Sequence, residues 1–199
     1  MKRAFLLALL VLTACSQKAE PVPEAIVTGD AAAISTDAAA ATTPAVIAGP
    51  GSRYTSLKNC KPVKSGESLG EDWSVSRCAG LGGYDLLLNY GDARDDLALL
   101  HNGSPAVELG LIGLSGGGFS SLADTAEWRG LGSGAAFAPA ALIVRYLISE
   151  DPGNAERQTA YLFVVDLAQR CVVAQVRPQA GQNEAARAIA DAPPRKCLR

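Results

Sequence analysis

One serine of this chain lies in a pattern that could supply a nucleophile. Gly113-Leu114-Ser115-Gly116-Gly117 has the Gly-x-Ser-x-Gly spacing, in which a sharp strand-to-helix turn exposes the serine hydroxyl for attack on an ester or peptide bond. Such a serine needs a general base, and the single histidine, His101, precedes it along the chain. Because no helix signal follows the motif, we interpret it as a glycine-rich loop. Hydrolysis through Ser115 remains the alternative.

Other clusters fit ligand sites less well. Asp92, Asp95 and Asp96 surround Arg94, but a calcium loop needs ligands at alternate positions and a closing glutamate. The run from Gly130 to Gly134 lacks the spacing of a dinucleotide-binding loop and the βαβ unit around it. We interpret these segments as a solvated turn and a connecting loop. The sequence predicts no catalytic residue, metal or cofactor.

The first fifteen residues have the layout of an export signal. Lys2 and Arg3 precede an apolar run over residues 4–11, and Leu12-Thr13-Ala14-Cys15 follows. The run is shorter than the roughly 20 residues that a membrane-spanning helix needs. A basic start, a short apolar core and a small-residue cleavage site are typical of a secretory signal peptide. With a cysteine directly after that site, the segment resembles the lipobox of bacterial lipoproteins.

This resemblance implies cleavage before Cys15 and attachment of diacylglycerol to its thiol, with further acylation (palmitate) of the new amine. Several acyl chains anchor a protein stably, whereas one binds only marginally. In Gram-negative lipoproteins an aspartate after the cysteine commonly retains the protein at the inner membrane, so Ser16 favours the outer membrane. We expect a protein held by lipid in the cell envelope, at the periplasmic face of the outer membrane.

Composition divides the rest of the chain into a tether and a domain. Residues 15–52 are rich in alanine, threonine and proline and contain no aromatic residue, so they cannot bury enough apolar surface to fold. Residues 53–199 are long enough for one domain with a core.

Loss of residues 1–14 leaves 16 basic and 20 acidic side chains, a balance that gives no reason to expect nucleic acid as a partner. In layout, the domain resembles poorly characterised proteobacterial envelope lipoproteins, a resemblance that implies no binding residue.

Four cysteines remain in the exported domain, and they allow three pairings. We favour Cys60–Cys78 and Cys171–Cys197, because each closes a short loop near one end of the domain. Zinc sites usually place cysteines two to four residues apart, and these four are much further apart. We therefore predict structural disulfides rather than a metal site.

Strand patterns dominate the domain and predict a mainly β fold, an antiparallel sheet or sandwich, with α+β as the alternative. Asn102-Gly103 is a favoured hairpin turn. A short C-terminal helix is predicted over 184–192, with Asn183 as its cap and Pro193-Pro194 as its stop. Trp128 is expected in the core with Glu127 and Arg129 outside, the alternative being an exposed interface aromatic. The predicted strands cover 73–77, 84–90, 96–101, 107–114, 141–148, 160–165 and 171–176.

These observations lead to a functional hypothesis with two alternatives. We expect a membrane-anchored envelope lipoprotein with a non-enzymatic binding or structural role. Its partners would be the membrane, through the N-terminal lipid, and an envelope protein or the cell wall. The alternatives are a serine hydrolase using Ser115 and a carrier of a small ligand.

Overall fold

The computed structural model describes residues 49–151, 153–154 and 156–198. The predicted signal peptide, Cys15 and most of the tether lie outside these residues. In the described part no helix has the length and apolar character to cross a membrane. The elements are β1 (Gly51–Ser56), β2 (Lys61–Ser68), β3 (Glu71–Ala79), β4 (Tyr84–Gly91), β5 (Arg94–His101), β6 (Val107–Glu108), α1 (Leu111–Ser115), β7 (Ser120–Leu131), β8 (Ala138–Ser149), β9 (Gln158–Asp166), β10 (Cys171–Val176) and α2 (Gln182–Asp191).

The ten strands form one curled sheet in the order β10-β9-β8-β7-β5-β4-β3-β2, with β1 pairing with β7 and β6 with β5. Every pairing is antiparallel except that of β5 with β7, which is parallel and joins Arg94 to Ser120. The long strand β7 therefore has two neighbours on one side: β5 at its beginning and β1 along its second half. The fold is mainly β with one short C-terminal helix, as the sequence predicts.

Alternate side chains of these strands fill the main core on one face of the sheet. Trp128, Tyr146 and Phe163 are completely buried there, and the Trp128 indole N–H donates to Thr55 Oγ1 at 2.9 Å. The indole lies so close to Gly80 that a Cβ at that position would come within 2.8 Å of it. Leucines of the two central hairpin strands complete this core, namely Leu86, Leu97 and Leu99.

Helix α2 packs on the opposite face of the sheet, where two partly buried ion pairs hold it. Arg129 is only 9% exposed and donates to both carboxylate oxygens of Asp191. Arg187 donates to Glu127 Oε1 at 2.7 Å. Trp128 is in the core as predicted, but the prediction that Glu127 and Arg129 lie outside is wrong. Their charges are covered by α2 because the helix supplies an opposite charge for each.

Two predicted elements differ from the structure. The segment 107–114, expected as a strand, forms only the two-residue β6 before the chain enters α1. The carboxylate of Asp96 accepts the Leu111 N–H at 2.9 Å, so it satisfies one of the free donors at the start of this helix. The predicted cap Asn183 lies inside α2, which begins after Gly181. The Asn183 side chain accepts a hydrogen bond from Arg145 instead.

Both predicted disulfides are present, Cys60–Cys78 and Cys171–Cys197. The second bond holds the C-terminal segment along β10, where Leu198 N–H donates to Val172 O at 2.8 Å. Next to it, Arg195 donates to Asp166 Oδ2 at 2.8 Å, and both side chains are more than nine-tenths buried. Burial alone would raise the pKa of Asp166, but hydrogen bonds from Gln169 and Arg195 outweigh it and hold the pKa below its usual value.

Candidate interaction surface

Ser115 is the last residue of a helix rather than the start of one. Its hydroxyl donates to Ile112 O at 2.9 Å, within the same turn. Gly116 ends α1 in the left-handed conformation at φ +92°, and Gly117 follows at φ +84°. The strand-serine-helix order of a nucleophile elbow is therefore not formed. The loop prediction is wrong for Gly113, Leu114 and Ser115, which belong to α1, because Asp96 satisfies a free donor at the start of that helix. Only the glycines from Gly116 onward form a loop, and they turn the chain out of α1 towards Phe119.

The structure places Ser115 and His101 apart. The contact between Asp96 and Leu111 puts α1 beside the beginning of β5, whereas His101 is the last residue of that strand. From Asp96 to His101, β5 spans roughly 16 Å, at about 3.3 Å per residue. The His101 ring stacks on Tyr84, with 4.0 Å between the ring centroids.

The carboxylates of the acidic cluster do not converge. Asp96 caps α1, Asp92 pairs with Arg94, and Asp95 Oδ2 accepts the Leu122 N–H at 2.8 Å. Burial raises the pKa of Asp95. Among the described residues, no group of three or more His, Cys, Asp or Glu side chains is placed to hold a metal ion.

Two sizeable surface hollows border opposite ends of β1, but neither brings together a set of catalytic or ligand-binding groups. The first, of about 650 Å³, borders Cys60–Cys78 and is lined by three cations. Lys58 and Arg77 are paired with Asp124 and Asp85, whereas Lys61 forms no ion pair within the described residues. The second, of about 590 Å³, lies between β1 and the turn before β4. In it, Arg53 lies over the Phe137 ring at 5.9 Å.

The candidate interaction surface lies where three loops meet at one end of the sheet. Trp73 pairs with Gly91, Gly91 pairs with Arg94, and Arg94 pairs with Ser120. The β2–β3 turn, the β4–β5 turn and the loop before β7 are therefore neighbours. We call their joint surface the hairpin-end surface and define it by Leu69, Glu71, Asp72, Tyr90, Asp92 and Phe119.

Leu69 is the most unusual residue of this surface. Ser68 pairs with Glu71, so Leu69 and Gly70 form a two-residue turn, and both have positive φ, at +56° and +83°. Such turns favour Asn, Asp or Gly, because a bulky side chain is strained in the left-handed region. Leu69 is also completely exposed, at 103%. Its backbone conformation is strained, and the exposure of its apolar side chain to water is also unfavourable.

Two aromatic side chains line a hollow of about 390 Å³ beside this turn. Tyr90 is 44% exposed and Phe119 is 50% exposed. The Phe119 backbone is nevertheless fixed, because its carbonyl accepts the Ser149 N–H at 2.9 Å and Ser120 N–H donates to Ala93 O at 3.3 Å. The sheet therefore fixes the backbone position from which the ring projects.

The β2–β3 hairpin itself is held on its other face. Trp73 lies across Gly66, where an added Cβ would come within 2.9 Å of the indole, and Lys64 Nζ lies 5.9 Å from the ring centre. All eight residues of β2 are exposed, so the strand depends on its pairing with β3 and on the disulfide at its base. The hairpin therefore has no hydrophobic core of its own, and Leu69 lies exposed at its tip.

This chain matches no protein family model, and no curated protein or solved structure matches it either.

No local sequence pattern predicts the hairpin-end surface. A strand was predicted over 73–77, within β3, but β2, on the other side of Leu69-Gly70, was not predicted. One local signal for this surface is present in the sequence. Leu69-Gly70 lies between polar segments, as a turn does, and the first residue of this turn is apolar. The neighbourhood of Tyr90 and Phe119 depends on the parallel contact of β5 with β7, which no local pattern predicts.

Proposed function

We propose that this protein is a lipid-anchored binding module of the bacterial envelope and that its hairpin-end surface docks a partner protein. The single observation that carries the docking role is Leu69, a fully exposed leucine at φ +56°. Strained backbone positions concentrate at functional sites, where the strain is retained for a role outside folding. Contact with a partner would bury the side chain and recover its hydration cost.

The neighbours of Leu69 support the same role. Exposed aromatic side chains among polar ones are typical of the anchors of protein interfaces. Tyr90 and Phe119 provide two such anchors on rigid strand ends. A surface that is preorganised in this way loses little side-chain entropy on binding.

The position of the surface also suits a tethered protein. The chain enters the domain at Gly51, which pairs with Gly130 near the end of β7. The hairpin-end surface lies beside Ser120, at the other end of that strand, roughly 30 Å away. In the proposal, Cys15 carries the lipid at the periplasmic face of the outer membrane, and the segment between Cys15 and Gly51 gives the reach.

Site-specific photocrosslinking tests this function. A photoreactive phenylalanine analogue replaces Leu69 in the full chain, and intact envelopes are irradiated. The matched control carries the analogue at Leu131, which is 51% exposed and lies at the far end of β7. We expect a discrete protein adduct from position 69 and none from position 131. Equal labelling from both positions, or none from 69, would contradict the proposal.

A further inference from the structure

The hollow between Tyr90 and Phe119 belongs to a longer concave strip. An adjoining hollow of about 370 Å³ lies over the small side chains Ser65 and Ser74. The two hollows share Asp72 and Tyr90 as lining residues. An extended segment of a partner could therefore follow the strip past the Tyr90 ring.

The charge of the strip is negative. Glu71, Asp72 and Asp92 line the hollow that holds Phe119. Asp92 is paired with Arg94, whereas within the described residues neither Glu71 nor Asp72 forms an ion pair. Both are exposed and lie at the tip of a hairpin, where a ligand can reach them.

The aromatic rings and the two carboxylates that form no ion pair within the described residues together favour a cationic ligand. Aromatic faces attract cations, and guanidinium groups in particular stack on them. Carboxylates on the rim attract the same charge and repel anionic ligands. A neutral ligand would use the rings but would gain nothing from Glu71 and Asp72.

We propose that the hairpin-end surface recognises a cationic segment of its partner, with an arginine side chain seated between Tyr90 and Phe119 against Asp72. This inference rests on the proposed docking function and names the partner's chemistry: a basic protein rather than an acidic one or a glycan. Leu69 then contacts an apolar side chain next to that arginine.

Binding of a synthetic peptide to the full chain tests the chemistry separately from the crosslinking experiment. The probe is a labelled peptide of alternating arginine and glycine, compared with the same peptide carrying citrulline, a neutral analogue of arginine. We expect the arginine peptide to bind at least about tenfold more tightly, because hydrogen bonds to a charged group are stronger than neutral ones. Its affinity should fall as salt is raised.

Variants locate the binding on the chain. We expect Asp72→Asn to weaken binding roughly two- to fivefold, as for an exposed ion pair. Tyr90→Ala and Phe119→Ala should each weaken it by a similar factor through the lost cation–π contact. The matched control is Glu156→Gln, which removes an exposed carboxylate elsewhere and should leave the affinity unchanged.

Several outcomes would overturn the inference. These are no measurable binding of the arginine peptide, equal binding of the citrulline peptide, or a loss with Glu156→Gln equal to that with Asp72→Asn. A neutral oligosaccharide of N-acetylglucosamine that binds in a Tyr90-dependent way would also overturn it, by assigning the strip to a glycan. None of these outcomes would affect a discrete crosslink from position 69. The crosslinking experiment therefore tests the docking function, and the peptide experiment separately tests the charge of the partner.

Discussion

Replacement of Leu69 by asparagine should stabilise the protein and weaken its binding at the same time. The stability gain comes from the backbone: the left-handed conformation costs most L-residues about 1–2 kcal/mol, and asparagine adopts it readily. Because Leu69 is 103% exposed in the folded protein, its removal sacrifices no burial. We therefore expect the free energy of unfolding to rise by about 1 kcal/mol, which corresponds to roughly 2–4 °C in Tm for a domain of this size.

The binding loss comes from the side chain. Full burial of a leucine contributes about 1.5–3 kcal/mol, so Leu69→Asn should reduce affinity for the partner about 10- to 100-fold. Urea denaturation of the full chain measures the first effect, and recovery of the crosslinked partner from intact envelopes measures the second.

A matched variant separates this explanation from a general effect of losing an exposed leucine. Leu131→Asn makes the same chemical change at a residue that is 51% exposed and is not among the residues with positive φ. It should neither stabilise the protein nor reduce partner recovery. If Leu69→Asn lowered stability, the strain argument would be wrong. If it raised stability and left recovery unchanged, the strain would be real but the docking role of Leu69 would be refuted.

Three further changes test the fold that positions the surface. Ala93 has φ +53° in the turn of the β4–β5 hairpin, so Ala93→Gly should raise the free energy of unfolding by about 0.5–1 kcal/mol in urea denaturation, and a loss of stability would contradict this. Asp166→Asn leaves the Arg195 charge buried without its partner and should cost about 3 kcal/mol at pH 7. Because the folded pKa of Asp166 is lowered, its stabilisation is complete above the unfolded pKa of about 3.9 and is lost as pH falls through the folded pKa, so the difference between wild type and variant should shrink with falling pH in acid unfolding curves. Replacing Cys60 and Cys78 by serine should cost roughly 3 kcal/mol and speed hydrogen exchange in β2 more than in β8, and uniform acceleration would argue against a local role.

The sequence predicts those elements whose stability comes from alternating apolar residues. Residues 171–176 were predicted with the bounds that β10 has, and the segments around 84–90 and 141–148 are strands in the structure. Their inward side chains are apolar, so the pattern carries the information. The disulfide pairing was also accessible, because loop length and position favour one of three arrangements.

Two of the strands that were missed, β7 and β2, lack an alternating apolar pattern, each for a different reason. On β7, Glu127 and Arg129 occupy positions that would be apolar in a strand buried on both faces, and their partners Arg187 and Asp191 lie about sixty residues later. On β2 every side chain is exposed, so there is no hydrophobic period to detect. The hairpin-end surface depends on both strands, which explains why local patterns did not predict it.

The pairing of β1 with β7 also decides how the domain would carry a mechanical load. Tension between an anchored chain entering at Gly51 and a partner held beside Ser120 would act along these two antiparallel strands. Their hydrogen bonds run across the strand direction, so such a force would shear the six residue pairs from Gly51–Gly130 to Ser56–Thr125 together rather than open them one by one. The same arrangement that separates the chain entry from the hairpin end would therefore resist extension.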